Sequence, residues 1–513
     1  MNCLRTKHWA SVLAVIVVLV CATQFAAAQS PSAVPVPKAD GPIRVAGDDA
    51  IYMPFAAANR STPPVDLAKI GYVEEEFIVT GTANVYDWAA DGTVSVKTPN
   101  APYGTRILVR RPANAARFNG TVIFEPMFTA RRFDWPMLWG YSHDYIVDNG
   151  AAWVGVTMPA ASDGLKKFNP TRYAQVSFAN PTPGAPCAAN ENSAPATMED
   201  GLRFDMFSQV AALLKSGTLP GLKAQYVFGT MQGGDFPTYI NTVHSRATVN
   251  GKPAFDGYLI RPGVAPARIS QCATAPGAND PRRMLKAANV PVVIAAAQGE
   301  ALGVLPWRRP DSDASNDIFR LYELAGVGHI DWWAYYGFPK PEDQVMAVGA
   351  AQGPPAWPFV ARCEPEIPLM PLPVLSQVYN ATFNNLDQFV RKGTPLPKAA
   401  RLELKDAGTP QQSFVLDQFG HGKGGVRSVY MEVPAANYFV TSPGPGTCRE
   451  MGHIDPFNWS RLESLYGNYK NYANKVEQTV NRLVKERWLT EADARRAKED
   501  LIPSSPSGIA QQR

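Results

Sequence analysis

The sequence predicts an α/β fold: a mostly parallel central sheet flanked by helices, with cap insertions and a helical C-terminal region. Three observations predict it. Short apolar, β-branched runs recur along the chain between Gly and Pro residues. Several of these runs are almost continuously apolar, as strands covered on both faces are. Helical patterns lie between them, for example FDMFSQVAALLKSG and PTYINTVHS.

At 513 residues, 45% hydrophobic and 18% charged, the chain can bury a large core and lies far from the composition of disordered segments. Its 46 prolines are about 9% of the residues, against roughly 5% on average, which favours ordered loops over coiled coils or solenoids. The first segment reads as an export signal. Arg5, Lys7 and His8 precede the uncharged run Val12–Ala22, and Ala26-Ala27-Ala28 follows at the spacing of a cleavage site, so residues 1–28 are expected to be removed. That run is too short for a membrane span of about 20 residues, and no later stretch qualifies. Loss of Arg5 and Lys7 takes the formal charge from +4 to +2, which does not suit a basic nucleic-acid binder. The mature chain is therefore expected in the periplasm or outside the cell.

Residues 29–66 are Pro/Ala-rich and read as a linker, with the fold starting after it, over 67–488. Strands are expected at 75–83, 105–112, 120–128, 151–159, 224–229, 255–263, 290–298 and 317–326. The intervals at about 160–200 and 330–373 exceed ordinary connections and are expected to form a cap over the sheet edge where ligands bind in open α/β sheets. Helices are expected at 374–393 and 461–488, and Thr490 to Asp493 reads as a capping box opening a short last helix within 489–513, the rest of which is a loose tail. The Gly-rich Gly420–Gly425 reads as a loop rather than a phosphate site.

After export four cysteines remain, Cys187, Cys272, Cys363 and Cys448, with no zinc-type spacing. Of three possible connectivities, Cys363 with Cys448 and Cys187 with Cys272 is preferred; buried free thiols are the alternative. His143, His244, His421 and His453 show no metal-binding spacing, and no phosphate-binding glycine motif follows a strand, so neither a metal nor another cofactor is implied.

The most informative string is Gly229-Thr230-Met231-Gln232-Gly233, between a strand and a helix. Flanking glycines in that position permit the sharp turn of a nucleophile elbow. The apex is Met231, and a thioether has no proton to lose and does not attack an acyl carbon. Glu300 follows the next-but-one strand and His329 the one after, giving the order elbow, acid, histidine. A carboxylate bonded to one imidazole nitrogen fixes the tautomer and leaves the other nitrogen to take a proton.

The chain resembles the large alpha/beta-hydrolase-domain proteins exported by bacteria. The resemblance is carried, in order, by Gly71–Asn84, Thr105–Pro112, Arg117–Glu125, Ala152–Val156, Gly229–Gly233, Phe319–His329 and Gly425–Tyr466, and covers roughly 70–480. It implies an alpha/beta-hydrolase fold and carboxylic-ester hydrolysis, with His329 as general base, Glu300 as acid and Met231 in the nucleophile's place, where the family has serine. It also implies an oxyanion hole from the backbone N–H of Gln232 and of the loop after Glu125, at Met127, and it places Gly420–Gly425 in a turn before a strand, VRSVYMEVP.

Two further readings stay open. One is a binding protein that keeps the pocket without hydrolysis, with Trp135 and Trp332 lining a site for an apolar or aromatic ligand. The other is a His329–Glu300 acid/base enzyme, a lyase or isomerase, that needs no covalent intermediate. In every reading the partner is a small molecule; composition does not give the oligomeric state. Rescue of hydrolysis would need a neighbouring hydroxyl such as Thr230, which one residue before an elbow apex points elsewhere, or water activated directly by His329.

Overall fold

The computed structural model describes residues 32–47, 52–183, 194–263, 267–277, 280–302, 307–353, 362–363, 367–368, 372–444 and 446–502. The export segment 1–28, Cys187 and the tail from 503 lie outside the described residues.

Ten strands form one sheet: β1 (Lys38–Asp40), β2 (Tyr72–Trp88), β3 (Val94–Pro112), β4 (Thr121–Pro126), β5 (Ala152–Val156), β6 (Tyr226–Gly233), β7 (Gly257–Pro262), β8 (Val292–Ala297), β9 (Ser312–Ala314) and β10 (Asp317–Leu324). Their order is β9-β10-β8-β7-β6-β4-β5-β3-β2-β1. The six strands from β10 to β5 are parallel, and antiparallel pairs close both ends. All eight expected strands belong to this sheet. All six residues of β8 are buried, and since successive side chains point to opposite faces, both faces there are covered.

The covering helices include α1 (Met137–Asp148), α2 (Ser162–Phe168), α3 (Leu202–Ser216), α4 (Asp235–Thr242), α5 (Gln298–Ala301), α6 (Pro341–Val348) and α7 (Val374–Lys392). Helix α7 packs on β7, β8 and α1, while α3 and α4 pack on β6. The first carries the expected apolar stripe, and Gly393 ends it in the left-handed conformation at φ 67°. Helices α2 and α6, one from each expected insertion, pack on each other.

Three expectations need correction. Residues 29–66 do not act as a linker throughout: β1 joins the sheet, and Phe55 to Ala58 are buried. Buried arginines hold that segment, Arg106 donating to the Phe55 carbonyl at 3.0 Å and Arg110 to that of Ala56 at 2.8 Å. The apolar Phe55 ring packs on Phe133 and Phe168, which a composition dominated by Pro and Ala conceals. Second, 461–488 divides into α8 (Trp459–Tyr466) and α9 (Tyr469–Lys485). Gly467 turns left-handed, and the Asn468 side chain accepts from the Asn471 N–H at 2.9 Å to start a new helix. Third, the expected strand VRSVYMEVP contains a helical turn, Val429–Glu432. The last helix, α10 (Glu491–Leu501), does start at Thr490, whose hydroxyl accepts from the Asp493 N–H at 3.1 Å. Cys363 and Cys448 are disulfide-bonded with Cα atoms 5.8 Å apart, and Cys272 is also in a disulfide.

His421 gives this fold a pH dependence. Its ring is wholly buried beside Phe419 and Tyr438, neither ring nitrogen finds a hydrogen-bond partner among the described residues, and a carboxylate oxygen of Asp417 is 3.7 Å away. Burial pushes its pKa down to about 4. The unfolded chain, near 6.5, therefore binds the proton first as pH falls. The neutral ring's contribution is full above pH 6.5 and is lost between there and pH 4, up to about 3 kcal/mol. Urea unfolding at several pH values should show this slope in the parent and a shallower one in His421→Phe; equal slopes would refute the assignment.

Candidate active site

The C-terminal ends of four neighbouring parallel strands, β6, β7, β8 and β10, meet at one edge of the sheet. Each brings one residue of the site. Met231 lies at the end of β6, Arg261 at the end of β7, Glu300 in the first turn after β8, and His329 in the loop after β10.

Met231 is buried and has φ 64°. A left-handed backbone costs a non-glycine residue about 1–2 kcal/mol, and an unbranched residue with no polar group to satisfy gains nothing locally in return. The surroundings enforce it. A Cβ at Gly233 would lie 2.0 Å from the Gly263 nitrogen and 2.2 Å from the Arg261 carbonyl oxygen, so the end of β6 lies directly against the end of β7. A Cβ at Gly229 would strike the Phe236 ring at 2.7 Å, and Phe236 anchors α4 in a cluster with Phe124, Phe207, Phe255 and Tyr258. The flanking glycines thus serve close packing, while the apex itself carries the unusual torsion.

Glu300 is fixed at both oxygens. Oε2 accepts from the Ala297 N–H at 3.2 Å, and Oε1 accepts from Arg261 Nε at 3.1 Å and Nη2 at 3.0 Å. Oε1 also makes a short contact with His329 Nδ1. Burial works against the Glu300 charge, but Arg261 and His329 outweigh it and hold the carboxyl below its ordinary range. The close approach of Gly299 to the His329 N–H, 3.1 Å from where a Cβ would stand, lets the two loops touch. With Nδ1 facing Glu300, Nε2 is the ring nitrogen left for a ligand, and the side chain is 31% exposed.

The remaining sequence-derived candidates are placed as follows. Gln232 stands beside Arg261 in the β6–β7 ladder. Met127 does not offer the expected donor, because its N–H is bonded to the Val156 carbonyl at 3.0 Å, where the chain still follows β5 after β4 ends. Trp135 is packed in the interior rather than presented at the surface. It is 3% exposed, donates to the Ala334 carbonyl at 2.8 Å and packs among Phe128, Tyr335 and Phe338, as a large ring in an apolar loop does. Trp332 is half-buried in the short helical turn Trp332–Tyr335, which Asp331 caps by accepting from the Trp333 N–H at 2.9 Å. The Thr230 hydroxyl turns into the sheet and donates to the Phe124 carbonyl at 2.9 Å, so it cannot replace a nucleophile.

Sequence reasoning missed Arg261 and the groups around it. Asp331, Tyr141 and Tyr379 are buried nearby, with the Tyr141 and Tyr379 rings 5.3 Å apart and Arg261 6.0 Å from the Tyr141 ring. Burial pushes Asp331 up to about 7 and both phenols well above their ordinary range. The available signal was one arginine ending the otherwise apolar strand GYLIRP. Among the described residues, no group of three or more His, Cys, Asp or Glu could hold a metal ion.

A family model described as "Alpha/beta hydrolase domain" matches residues 33–499. No curated protein matches the chain significantly. Solved structures similar to it include an S-formylglutathione hydrolase from Agrobacterium tumefaciens, 12% identical with a TM-score of 0.25, the match covering 50% of this chain and 87% of that one. A glucuronoyl esterase from Solibacter usitatus is 10% identical, with a TM-score of 0.24 and coverage of 49% and 77%. A mutated form of the esterase rPPE is 15% identical, with a TM-score of 0.29 and coverage of 56% and 85%.

Proposed function

Because the chain belongs to the alpha/beta hydrolase domain family, we propose that it is an exported member of carboxylic-ester-hydrolase type that holds a small ester-like ligand beside His329 and Glu300 but lacks the nucleophile for an acyl-enzyme. The observation that carries this reading is the left-handed backbone at Met231, beside the β7, β8 and β10 ends that bring Arg261, Glu300 and His329 together. An elbow bends in this way to raise a reacting side chain. Here the bend persists with a thioether at its apex, so what survives is the site's shape and its base, without the attacking oxygen.

Export is part of the same proposal. It is supported by the charged and apolar pattern of residues 1–28 and by the disulfide between Cys363 and Cys448. Among the described residues no helix is long and apolar enough to cross a membrane.

A panel of activated esters tests the reading with the parent and Met231→Ser side by side. The parent is expected to be silent and the variant active. One observation favours a second reading: the His329 side chain is 31% exposed and already fixed by Glu300, as a general base acting on a bound ligand would be. Parental turnover that His329→Ala abolishes and changes at 231 leave intact would select it.

A further inference from the structure

Arg261 is given no chemical task in the reading above, yet it makes more polar contacts in the site than any other side chain described there. It is buried, its side chain 7% exposed, at the end of the strand between the elbow strand and the Glu300 strand. Two of its nitrogens donate to Glu300 Oε1. Nη2 also donates to the His329 main-chain carbonyl and lies 3.2 Å from His329 Nδ1. Nη1 lies 3.1 Å from the Met137 sulfur.

Glutamate has one more rotatable bond than aspartate, so a carboxylate on this stem needs extra restraint to meet an imidazole reproducibly. A planar guanidinium can supply it, since its donors leave in fixed directions. We propose that Arg261 is a positioning residue, clamping the Glu300 carboxylate and the His329 backbone in one array so that acid and base from neighbouring strands act as a rigid unit. The clamp explains why the Glu300–His329 contact forms although His329 lies in a loop and its side chain is partly exposed. It also explains a buried arginine at the end of an apolar strand, a location that would otherwise only cost desolvation.

This inference rests on the proposed role of His329 and Glu300, but its first test needs no turnover. The proton between His329 Nδ1 and Glu300 should give a strongly downfield NMR resonance in the parent, identified by its disappearance in His329→Gln. In Arg261→Gln, whose amide cannot hold carboxylate and carbonyl together, the resonance is expected to be lost or exchange-broadened in protein that remains folded by circular dichroism. Added methylguanidine should restore it. In the Met231→Ser background the same change should lower kcat at least tenfold with KM within twofold, because ligand contacts are untouched. A folded Arg261→Gln that keeps the resonance, with kcat within twofold in the Met231→Ser background, overturns the proposal. Should Arg261→Gln fail to fold, Arg261→Lys keeps the charge, and one ammonium still cannot make the fork. A shifted resonance in that variant supports the clamp, and an unchanged one refutes it. Failure of Met231→Ser to hydrolyse esters would count against the proposed function while leaving the NMR result to decide the clamp.

Discussion

Met231→Ser is expected to raise ester turnover by about 10³-fold over the parent. The size follows from two opposing magnitudes. Removing a triad nucleophile costs on the order of 10⁶ in turnover, so restoring one could return that much. Two N–H groups of the loop expected to supply an oxyanion donor are engaged elsewhere, however. The N–H groups of Met127 and Phe128 are already bonded to the carbonyls of Val156 and Trp135, and a missing oxyanion donor costs about 10²–10³. The serine hydroxyl would attack the ester carbonyl while its proton passes to His329 Nε2, the ring nitrogen turned away from Glu300. Met231→Ala should stay at the parental level, and adding His329→Ala to Met231→Ser should remove the gain. Steady-state hydrolysis of p-nitrophenyl esters measures all four proteins. A folded serine variant that hydrolyses none of them would sink the proposed function.

The largest stability effect is expected at Arg106. Its side chain, like those of Glu76 and Asp134, is fully buried, with oxygens of those carboxylates at 3.5 and 3.1 Å. Glu76 keeps a second partner in Arg172 at 2.6 Å, whereas Asp134 would be left with the Thr157 hydroxyl at 2.5 Å. Arg106→Met should therefore cost about 3–5 kcal/mol, because a buried charge loses its partner. It would also release the Phe55 carbonyl, loosening the N-terminal segment from the sheet. Arg482→Met serves as the contrast. Arg482 also pairs with two carboxylates, but its side chain is 42% exposed, and the cost should stay within about 1 kcal/mol. Guanidinium unfolding of both variants checks the pair. Similar losses would mean that burial does not set the value of these ion pairs.

The alternation of apolar runs with helical patterns made the sheet legible, because buried parallel strands need that composition and little else competes to explain it. The meeting of Glu300 with His329 was legible for a related reason: each lies in the segment that leaves a strand's C-terminal end, where this architecture gathers side chains. Trp135 misled because a tryptophan in a loop looks the same in sequence whether it faces a ligand or Tyr335 and Phe338. Met127 misled because the hydrogen bonding of a single N–H depends on where β5 runs beside it. Arg261 escaped because an arginine after an apolar strand is ordinarily read as its exit to solvent, and only the meeting of three strand ends turns it inward. The buried Phe55–Ala58 stretch was hidden for a similar reason, since the arginines that hold it lie about fifty residues later.

The margins of the ten-stranded sheet bear on how molecules behave in company. On one side the last strand is only Lys38–Asp40, with the Lys38 ammonium 2.9 Å from Asp40; on the other it is Ser312–Ala314, whose Asp313 pairs with Lys398 and Arg320. A neighbouring polypeptide seeking a ladder to extend meets three residues and a charge at either margin, which frustrates edge-on aggregation. Deleting the Lys38–Asp40 strand would bare Ile78–Thr80, the segment of β2 that it covers, and should increase concentration-dependent self-association over the parent, as light scattering would register.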